Sequence, residues 1–258
     1  MCRLAAYLGS SLQLKHFLLD PPHNLINQSW APKEMTEAVL NADGFGFGWY
    51  TNEGKIATYK SVQPIWSDTN INGLSESLVS QCWLANVRSA TPGQATDISN
   101  TQPFTDSNII FMHNGYIKHF NPEIKTKFHE YLFPAVQANI SGNSDSEYLF
   151  AMVRQQRQSE NSKLDNCLCR ALTDFTSLLA EGTALLNIVM TDGQTLYVVR
   201  HAINGQCPSL YYTKQDEAYP NAFLVASECM TESEYWEAVP EHCLLILSEQ
   251  NDPEYISL

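Results

Sequence analysis

The fold class is decided by the stretch Ala184-Leu-Leu-Asn-Ile-Val-Met-Thr191, followed by Asp192-Gly-Gln194 and then by Thr195-Leu-Tyr-Val-Val-Arg200. Both outer runs are rich in the aliphatic and β-branched side chains of strands, and the three residues between them are typical of a turn. Two strands joined by so short a turn pair antiparallel. The pattern recurs at residues 46–51 and 55–60, with Asn52-Glu-Gly54 between them. The sheets are therefore predicted to be largely antiparallel.

The other strand-like and helix-like runs alternate along the chain, without repeats or low-complexity linkers. Five more runs have the composition of strands, at residues 83–88, 108–113, 210–213, 222–227 and 243–247. Two runs have the pattern of helices, at 145–158 and 164–180, and two further helices are predicted at 74–80 and 124–137. Helices in the middle of the chain, with strands on both sides, predict a layered α+β fold in one domain.

Two local signals add detail. Ser144 is a good N-cap for the helix at 145–158, and Glu147 is placed to complete a capping box. The segment 20–41 is polar and proline-rich, with few strand signals. We expect a long loop there, lying over a site.

The composition excludes several kinds of partner. The chain has 258 residues, 44% hydrophobic and 17% charged, which is typical of a globular protein, and its formal net charge is −13. Because it has no run of Lys and Arg, we expect neither nucleic acid nor an anionic membrane as a partner. It also lacks both an apolar stretch long enough for a transmembrane helix and the pattern of a signal peptide.

The cysteines indicate a reducing compartment. They number seven, which is odd, and no CxxC pair occurs. We therefore expect no disulfide framework, no zinc or other metal site, no cofactor, and a cytoplasmic location. Most of these cysteines are expected to be small buried hydrophobic residues.

Cys2 differs because of its place in the chain. Methionine before a small residue is usually removed, and the mature chain would then begin with a thiol and a free α-amine on one residue. Because an α-amine has a reference pKa of about 7.7–8.0, it accepts a proton near neutral pH. A terminal nucleophile that uses its own amine as base is an alternative to a Ser–His pair.

Four further motifs each allow a structural and a functional interpretation. The run Asn41-Ala-Asp-Gly-Phe-Gly-Phe-Gly-Trp-Tyr50 predicts a strand packed closely against another backbone, and it is not a phosphate loop. Arg88, at the end of a strand, is either an ion-pair partner or a bidentate grip for a carboxylate. Asn114-Gly115 is either a hairpin turn or an oxyanion hole made by the Asn114 amide and the Gly115 N–H. Asp145 either caps a helix or holds a substrate ammonium.

In this order the motifs resemble the class II glutamine amidotransferases, which are N-terminal-nucleophile hydrolases. The resemblance extends from Cys2 to about Phe150, through the glycine-rich run, Asn86-Val-Arg-Ser-Ala-Thr-Pro-Gly93, Phe111-Met-His-Asn-Gly115 and the Ser-Asp-Ser-Glu at 144–147. A weaker match is Val225-Ala-Ser-Glu228. Pro64-Ile-Trp-Ser-Asp68 is similar to the stand-alone branch, which includes γ-glutamyl hydrolases of glutathione breakdown and ergothioneine synthesis.

The resemblance implies a fold and an activity. The fold is a four-layer αββα sandwich of two mainly antiparallel sheets, formed by a single domain over residues 2–258. The activity is hydrolysis of a γ-glutamyl amide bond in a small molecule, through a thioester on an N-terminal cysteine.

The resemblance also implies residue roles. Cys2 is the nucleophile and, through its amine, the base, and Asn114 with Gly115 forms the oxyanion hole. Arg88, with Thr91 close by, holds the α-carboxylate of the substrate. Asp145 holds its α-ammonium.

Two positions depart from the family pattern, since Asn86 and Gln102 stand where the family often has His. We expect both to shape the pocket, so the departure bears on the substrate more than on the mechanism. The leaving group is not named by the sequence.

Two other functions stay open. One is a glutaminase subunit that delivers ammonia to a separate synthase subunit, because no synthase module follows in this chain. The other is a non-catalytic module that binds a glutamyl group. A second copy of the chain is a further partner left open.

Overall fold

The computed structural model describes residues 2–34, 40–90, 96–159 and 163–258. The strands in these ranges are β1 (Arg3–Gln13), β2 (Phe45–Tyr50), β3 (Ile56–Ser61), β4 (Val79–Val87), β5 (Phe104–Asp106), β6 (Ile109–Ile117), β7 (Ala184–Thr191), β8 (Thr195–Ile203), β9 (Tyr211–Thr213), β10 (Phe223–Ala226), β11 (Glu237–Ala238), β12 (Cys243–Ser248) and β13 (Asn251–Ser257). The α-helices are α1 (Leu14–Leu18), α2 (Leu25–Trp30), α3 (Ile71–Ser77), α4 (Pro122–Tyr131), α5 (Pro134–Gln137), α6 (Asp145–Ser159) and α7 (Leu164–Leu179).

The strands form two sheets. The first has the order β11-β9-β10-β1-β4-β2-β3, and the second has the order β13-β12-β8-β7-β6-β5. Every pairing between described strands is antiparallel. The predicted hairpins are confirmed, since β2 pairs with β3 and β7 pairs with β8.

Apolar cores separate four layers. Helices α1 to α3 cover the outer face of the first sheet, the two sheets pack face to face, and α4, α6 and α7 cover the outer face of the second. On β4, Trp83 lies in the core under the first helices and its neighbour Leu84 lies between the sheets. On β6, Phe111 lies under the second helices and its neighbour Met112 lies between the sheets. The predicted four-layer α+β sandwich is confirmed.

This alternation fixes which polar residues enter the middle of the sandwich. Side chains along a strand point to opposite faces in turn. The even-numbered residues of β4 and β6, and those of β1 as far as Leu8, therefore face the space between the sheets. Beyond a register shift between Leu8 and Leu12, Leu12 packs under the helices instead. Toward one end of that space the apolar residues give way to Asn86 on β4 and Asn114 on β6, both fully buried.

The long helices and most strands match their predicted positions, and the differences have local causes. The helix predicted over 124–137 is two helices, because Pro134 disfavours a helical conformation at Phe133. The helix predicted over 74–80 ends earlier, at Ser77, and residues 79–80 belong to β4. The loop predicted over 20–41 contains α2, whose first turn is capped by the Asn24 side chain accepting from the N–H of Asn27.

The predicted start of α6 is confirmed in part. The Ser144 hydroxyl accepts from the Glu147 N–H over 3.2 Å, which is the first half of a capping box. The Glu147 carboxylate accepts from the N–H groups of Ser141 and Gly142, each at 2.7 Å, instead of turning back to Ser144. It therefore ties the preceding loop to the helix.

Within the described ranges, no helix is both long and apolar enough to cross a bilayer.

Candidate active site

Cys2 and Arg88 lie opposite each other where two strands of the first sheet end. Cys2 immediately precedes β1 and Arg88 immediately follows β4, and Arg3 of β1 pairs with Val87 of β4. Cys2 is 7% exposed and Arg88 is 4% exposed. The Cys2 thiol points at the carbonyl oxygen of Ser89, 3.8 Å away. The register of β1 with β4 thus places the predicted nucleophile next to the residue that is predicted to bind the substrate carboxylate.

The glycine-rich segment secures Arg88 in place. The Arg88 N–H donates to the carbonyl of Gly44 over 2.8 Å, and its guanidinium Nη1 donates to the carbonyl of Asp43 over 3.3 Å. The Asp43 carboxylate accepts from the N–H of Ala90 over 2.8 Å. The segment therefore packs its backbone against this strand end, as its glycines predicted.

Asn114 reaches the first sheet from the second. Its Nδ2 donates to the Ser227 hydroxyl over 2.8 Å, and the same hydroxyl oxygen accepts from the N–H of Leu4 over 3.0 Å. Leu4 is two residues from Cys2. Two hydrogen bonds to one oxygen thus connect the side chain of Asn114 to the strand that begins beside the candidate nucleophile.

The turn interpretation of Asn114-Gly115 is wrong. Strand β6 continues to Ile117, and Asn114 pairs with Asn187 of β7 while Gly115 pairs with Leu186. A Cβ atom on Gly115 would lie 1.8 Å from the carbonyl oxygen of Leu185, so only glycine fits. Asn114 thus places a fully buried side-chain amide between the sheets. The next residue, Gly115, has no side chain to cover its own backbone.

Asp145 opens α6 and binds the backbone of β6. One carboxylate oxygen accepts from the N–H of Ile117 and the other from the N–H of Ser146, each over 2.8 Å. The side chain is 4% exposed. Asp145 therefore fixes the helix to the strand that carries Asn114.

The two positions that depart from the family pattern have different environments. The Gln102 amide pairs with the backbone of His113: its oxygen accepts from the N–H over 2.6 Å, and its nitrogen donates to the carbonyl over 2.8 Å. It thus holds β6 one residue before Asn114. Asn86 is 1% exposed and neither polar atom of its side chain has a partner among the described residues. Asn86 faces the space between the sheets.

Next to Asn114, His113 faces the helices. The two bonds of its ring join Nδ1 to the Ser146 hydroxyl and Nε2 to the carbonyl of Leu185, each over 2.9 Å. A carbonyl only accepts, so Nε2 carries the proton and Nδ1 is the acceptor. Burial lowers the pKa of His113, while the charge of Asp145 opposes that shift in part. A neutral, fixed imidazole therefore supports the strand behind the site.

Sequence reasoning missed the role of Ser227 and Glu228. Their only signal was the weak match at 225–228. Glu228 pairs with the buried Arg3 at 3.4 Å and with His23 at 2.7 Å, and it accepts from two backbone N–H groups. Burial by itself raises the pKa of Glu228, but these hydrogen bonds and the charge of Arg3 lower it overall. The ion pair anchors the residue that follows Cys2.

A cavity of about 470 Å³ adjoins this arrangement. On the second sheet, the row Asn114–Asn187–Arg200 borders the site, and the next row, Tyr116–Leu185–Ala202, lies two residues further along each strand. Two residues of a strand span about 7 Å. Lining residues of the cavity include Tyr116, Leu185, Arg200, Ser209 and Tyr211. Space for a ligand therefore begins within one row of Asn114.

Among the six predicted site residues, the structure brings Cys2, Arg88 and Asn114 to one end of the space between the sheets. Gly115 follows Asn114 on β6, and Asp145 lies at the start of α6 and binds the β6 backbone at Ile117. Thr91 lies outside the described residues.

The chain is similar to known proteins in sequence and in fold. The family model described as "Glutamine amidotransferases class-II" matches residues 27–222. A γ-glutamyl-hercynylcysteine sulfoxide hydrolase of Mycolicibacterium smegmatis is 39% identical over 117 residues, covering 45% of this chain and 52% of that protein. A probable glutamine amidotransferase, DUG3, of Saccharomyces cerevisiae is 28% identical over 296 aligned positions, covering 97% of this chain and 82% of that protein. The chain thus matches about half the length of the mycobacterial relative.

Two solved structures share the fold. A glutamine aminotransferase class-II domain protein from Silicibacter pomeroyi superposes with a TM-score of 0.71 at 23% identity, covering 99% of this chain and 98% of the other. The glutamine phosphoribosylpyrophosphate amidotransferase of Bacillus subtilis superposes with a TM-score of 0.67 at 17% identity, covering 99% of this chain and 49% of the other. At these identities the likeness concerns the fold alone.

Proposed function

The chain belongs to the class-II glutamine amidotransferases, and from that premise we propose that it hydrolyses a γ-glutamyl amide bond through a thioester on Cys2. One observation carries the proposal. Cys2 and Arg88 lie opposite each other at a strand end, and the buried amide of Asn114 is tied to the same strand through Ser227. We assign the activity to one domain, residues 2–258.

The proposed reaction has two steps. After removal of Met1, the Cys2 amine takes the thiol proton and the sulfur attacks the γ-carbonyl carbon of the substrate. The tetrahedral intermediate collapses, the C–N bond breaks, and the departing amine receives the proton. Water then attacks the thioester, releasing glutamate and restoring the thiol.

Asn114 and Gly115 are the donors proposed for the oxyanion. The Asn114 Nδ2 has two N–H bonds, and one of them goes to Ser227. The bond to Ser227 fixes the plane of the Asn114 amide. The second N–H is the one proposed to donate to the oxyanion. Donors that are fixed before reaction stabilise a developing negative charge without reorganising.

The two ends of the glutamyl group are assigned to opposite charges. Arg88 holds the α-carboxylate, since its guanidinium is buried beside Cys2 and fixed by the Asp43 carbonyl. Asp145 holds the α-ammonium through the negative charge of its carboxylate, which is buried at the start of α6. Thr91 is proposed to assist Arg88.

The leaving group is proposed to be larger than ammonia. The 470 Å³ cavity begins one row from Asn114, and two tyrosines and an arginine line it. Ammonia needs no such space, whereas the amine side of a γ-glutamyl peptide does. The mycobacterial relative is named as the hydrolase of a γ-glutamyl compound other than glutamine. We place the reaction in the cytoplasm, where a thiol nucleophile stays reduced.

The test is glutamate release from L-glutamine and from a panel of γ-glutamyl peptides, with intact mass spectrometry to establish the state of Met1. Cys2→Ala should abolish release from every substrate and keep the fold. Cys169→Ala removes a half-buried thiol on α7 and should leave turnover unchanged. Near wild-type turnover by Cys2→Ala would refute the mechanism.

The substrate panel separates the alternatives. Faster hydrolysis of a γ-glutamyl peptide than of glutamine supports the proposal. Hydrolysis of glutamine alone supports an ammonia-delivering subunit with a separate synthase, and substrate binding without glutamate release supports a non-catalytic module.

A further inference from the structure

A cluster of three potential metal ligands lies at the edge of the same cavity. Cys207 follows β8 in the loop to β9, and Glu241 and His242 precede β12. Their ligand atoms all lie within 4.8 Å of one another. The Cys207 Sγ and His242 Nε2 atoms are 4.0 Å apart. Two separate loops thus bring sulfur, nitrogen and oxygen donors to one point.

His242 is oriented by a second histidine. Its Nδ1 lies 2.9 Å from Nδ1 of His201, and the two rings meet edge to face at 81°. If His242 Nδ1 carries the proton and donates to His201, then Nε2 presents its lone pair toward Cys207. A hydrogen bond from the far ring nitrogen is the usual support for a metal-bound imidazole.

Arg200 fixes the remaining geometry. Its guanidinium donates to the carbonyls of Pro208 and Val239, each over 2.8 Å, and lies 3.4 Å from one oxygen of Glu241. This ion pair lies beside the cluster, next to the loop that carries Cys207. Cys207 is 6% exposed, while Glu241 and His242 are exposed, so an ion can enter from solvent.

We propose that Cys207, Glu241 and His242 bind a thiophilic divalent cation of the zinc class, with His201 as positioning residue. A tetrahedral zinc site has ligand distances of about 2.0–2.3 Å, which separates the ligand atoms from one another by roughly 3.3–3.7 Å. The observed 4.0 Å between sulfur and nitrogen needs only a small closure on binding. The thiol releases its proton to water, and three protein ligands leave a fourth coordination position for a water molecule.

Zinc binding to the full chain is the test, measured by competition with a chromophoric chelator and by thermal unfolding with and without zinc. The wild type should bind one ion per chain and gain stability from it, because the ion binds only the folded state. Cys207→Ser and His242→Asn should each weaken binding at least tenfold. Asn tolerates the left-handed backbone of His242, whose φ is 54°, so this variant keeps the fold.

Three controls make the result specific. Cys2→Ala removes the other plausible thiol chelator and Cys169→Ser removes an unrelated thiol, and both should bind zinc as the wild type does. His201→Gln should weaken zinc binding by about 10–100-fold without removing a ligand. Cobalt should give a thiolate charge-transfer band in the wild type that is absent from Cys207→Ser. Equal zinc affinity of the wild type, Cys207→Ser and His242→Asn would overturn the proposal.

Discussion

At the residue scale, the Ser227 hydroxyl connects the two sheets at a point two residues along the chain from the candidate nucleophile, Cys2. Its oxygen accepts from Nδ2 of Asn114 and from the N–H of Leu4, and its own N–H donates to the carbonyl of Leu4. Asn114 Oδ1 has no partner among the described residues. A buried amide with an unused acceptor is costly for stability alone, which favours a functional reason for its presence.

Asn114→Ala should lower kcat for glutamate release by roughly 10²–10³ and change KM little, since the oxyanion donor acts mainly in the transition state. Asn24→Ala is the matched control, because it truncates a buried amide that caps α2 on the outer face of the first sheet. Both variants should lose stability in thermal unfolding, and only the first should lose turnover. Equal kcat in the two variants would return Asn114 to a structural role.

At the element scale, β2 depends on glycine because another backbone crosses it closely. A Cβ atom on Gly46 would lie 2.2 Å from the carbonyl oxygen of Gln102 and 3.0 Å from that of Tyr59. The Gln102 side chain is itself fixed by the backbone of His113, so this segment has little freedom to retreat. The alternating glycines thus allow the first sheet to approach the loop that supports β6.

Gly46→Ala should destabilise the protein by about 1–3 kcal/mol, the usual cost of overpacking in a close-packed core. Gly73→Ala in α3 is the control, because nothing lies within 4 Å of a Cβ atom there. Alanine in a helix should stabilise by roughly 0.5–1 kcal/mol relative to glycine. Chemical denaturation of the two variants gives both values. A neutral Gly46→Ala would mean that the loop carrying Gln102 moves without cost.

At the scale of the whole molecule, two buried titratable groups connect the layers. His113 joins β6 to α6 and β7, and Glu228 joins the end of β10 to Arg3 and to the segment at 33–34. The pKa of each group is lowered in the folded state. Both groups therefore make the stability of the sandwich depend on pH in the same direction.

Stability should be constant above about pH 6.5 and fall as the solution is acidified. For His113 the unfolded chain has the ordinary pKa of 6.5 and the folded pKa is lower, so below 6.5 the unfolded state binds more protons. Glu228 adds a further loss below its ordinary pKa of 4.5, as pH falls through its lowered folded pKa. Thermal unfolding between pH 4 and 8 measures both losses.

His113→Gln should flatten the part of this curve that lies just below pH 6.5. An unchanged slope in His113→Gln would assign the acid sensitivity to other groups.

The sequence by itself determined the fold class and the candidate residues. Short turns between β-rich runs required antiparallel sheets, and the 3.6-residue period marked α6 and α7, because both signals arise between near neighbours in the chain. The sequence did not decide between a hairpin turn and an oxyanion hole at Asn114-Gly115, because the same dipeptide is compatible with a turn and with an extended strand. It also gave no separate prediction of β5 or β13, whose strands are short or polar and extended only by pairing.

Only the tertiary structure decided which residues meet. The register of β1 with β4 places Cys2 opposite Arg88, 86 positions later in the chain, and Ser227 joins Asn114 to Leu4 across both sheets. Cys207 and His242 likewise come together from two loops. Such pairings depend on strand order and register, which many distant contacts fix at once. The spacing of residues along the chain does not reveal these long-range pairings.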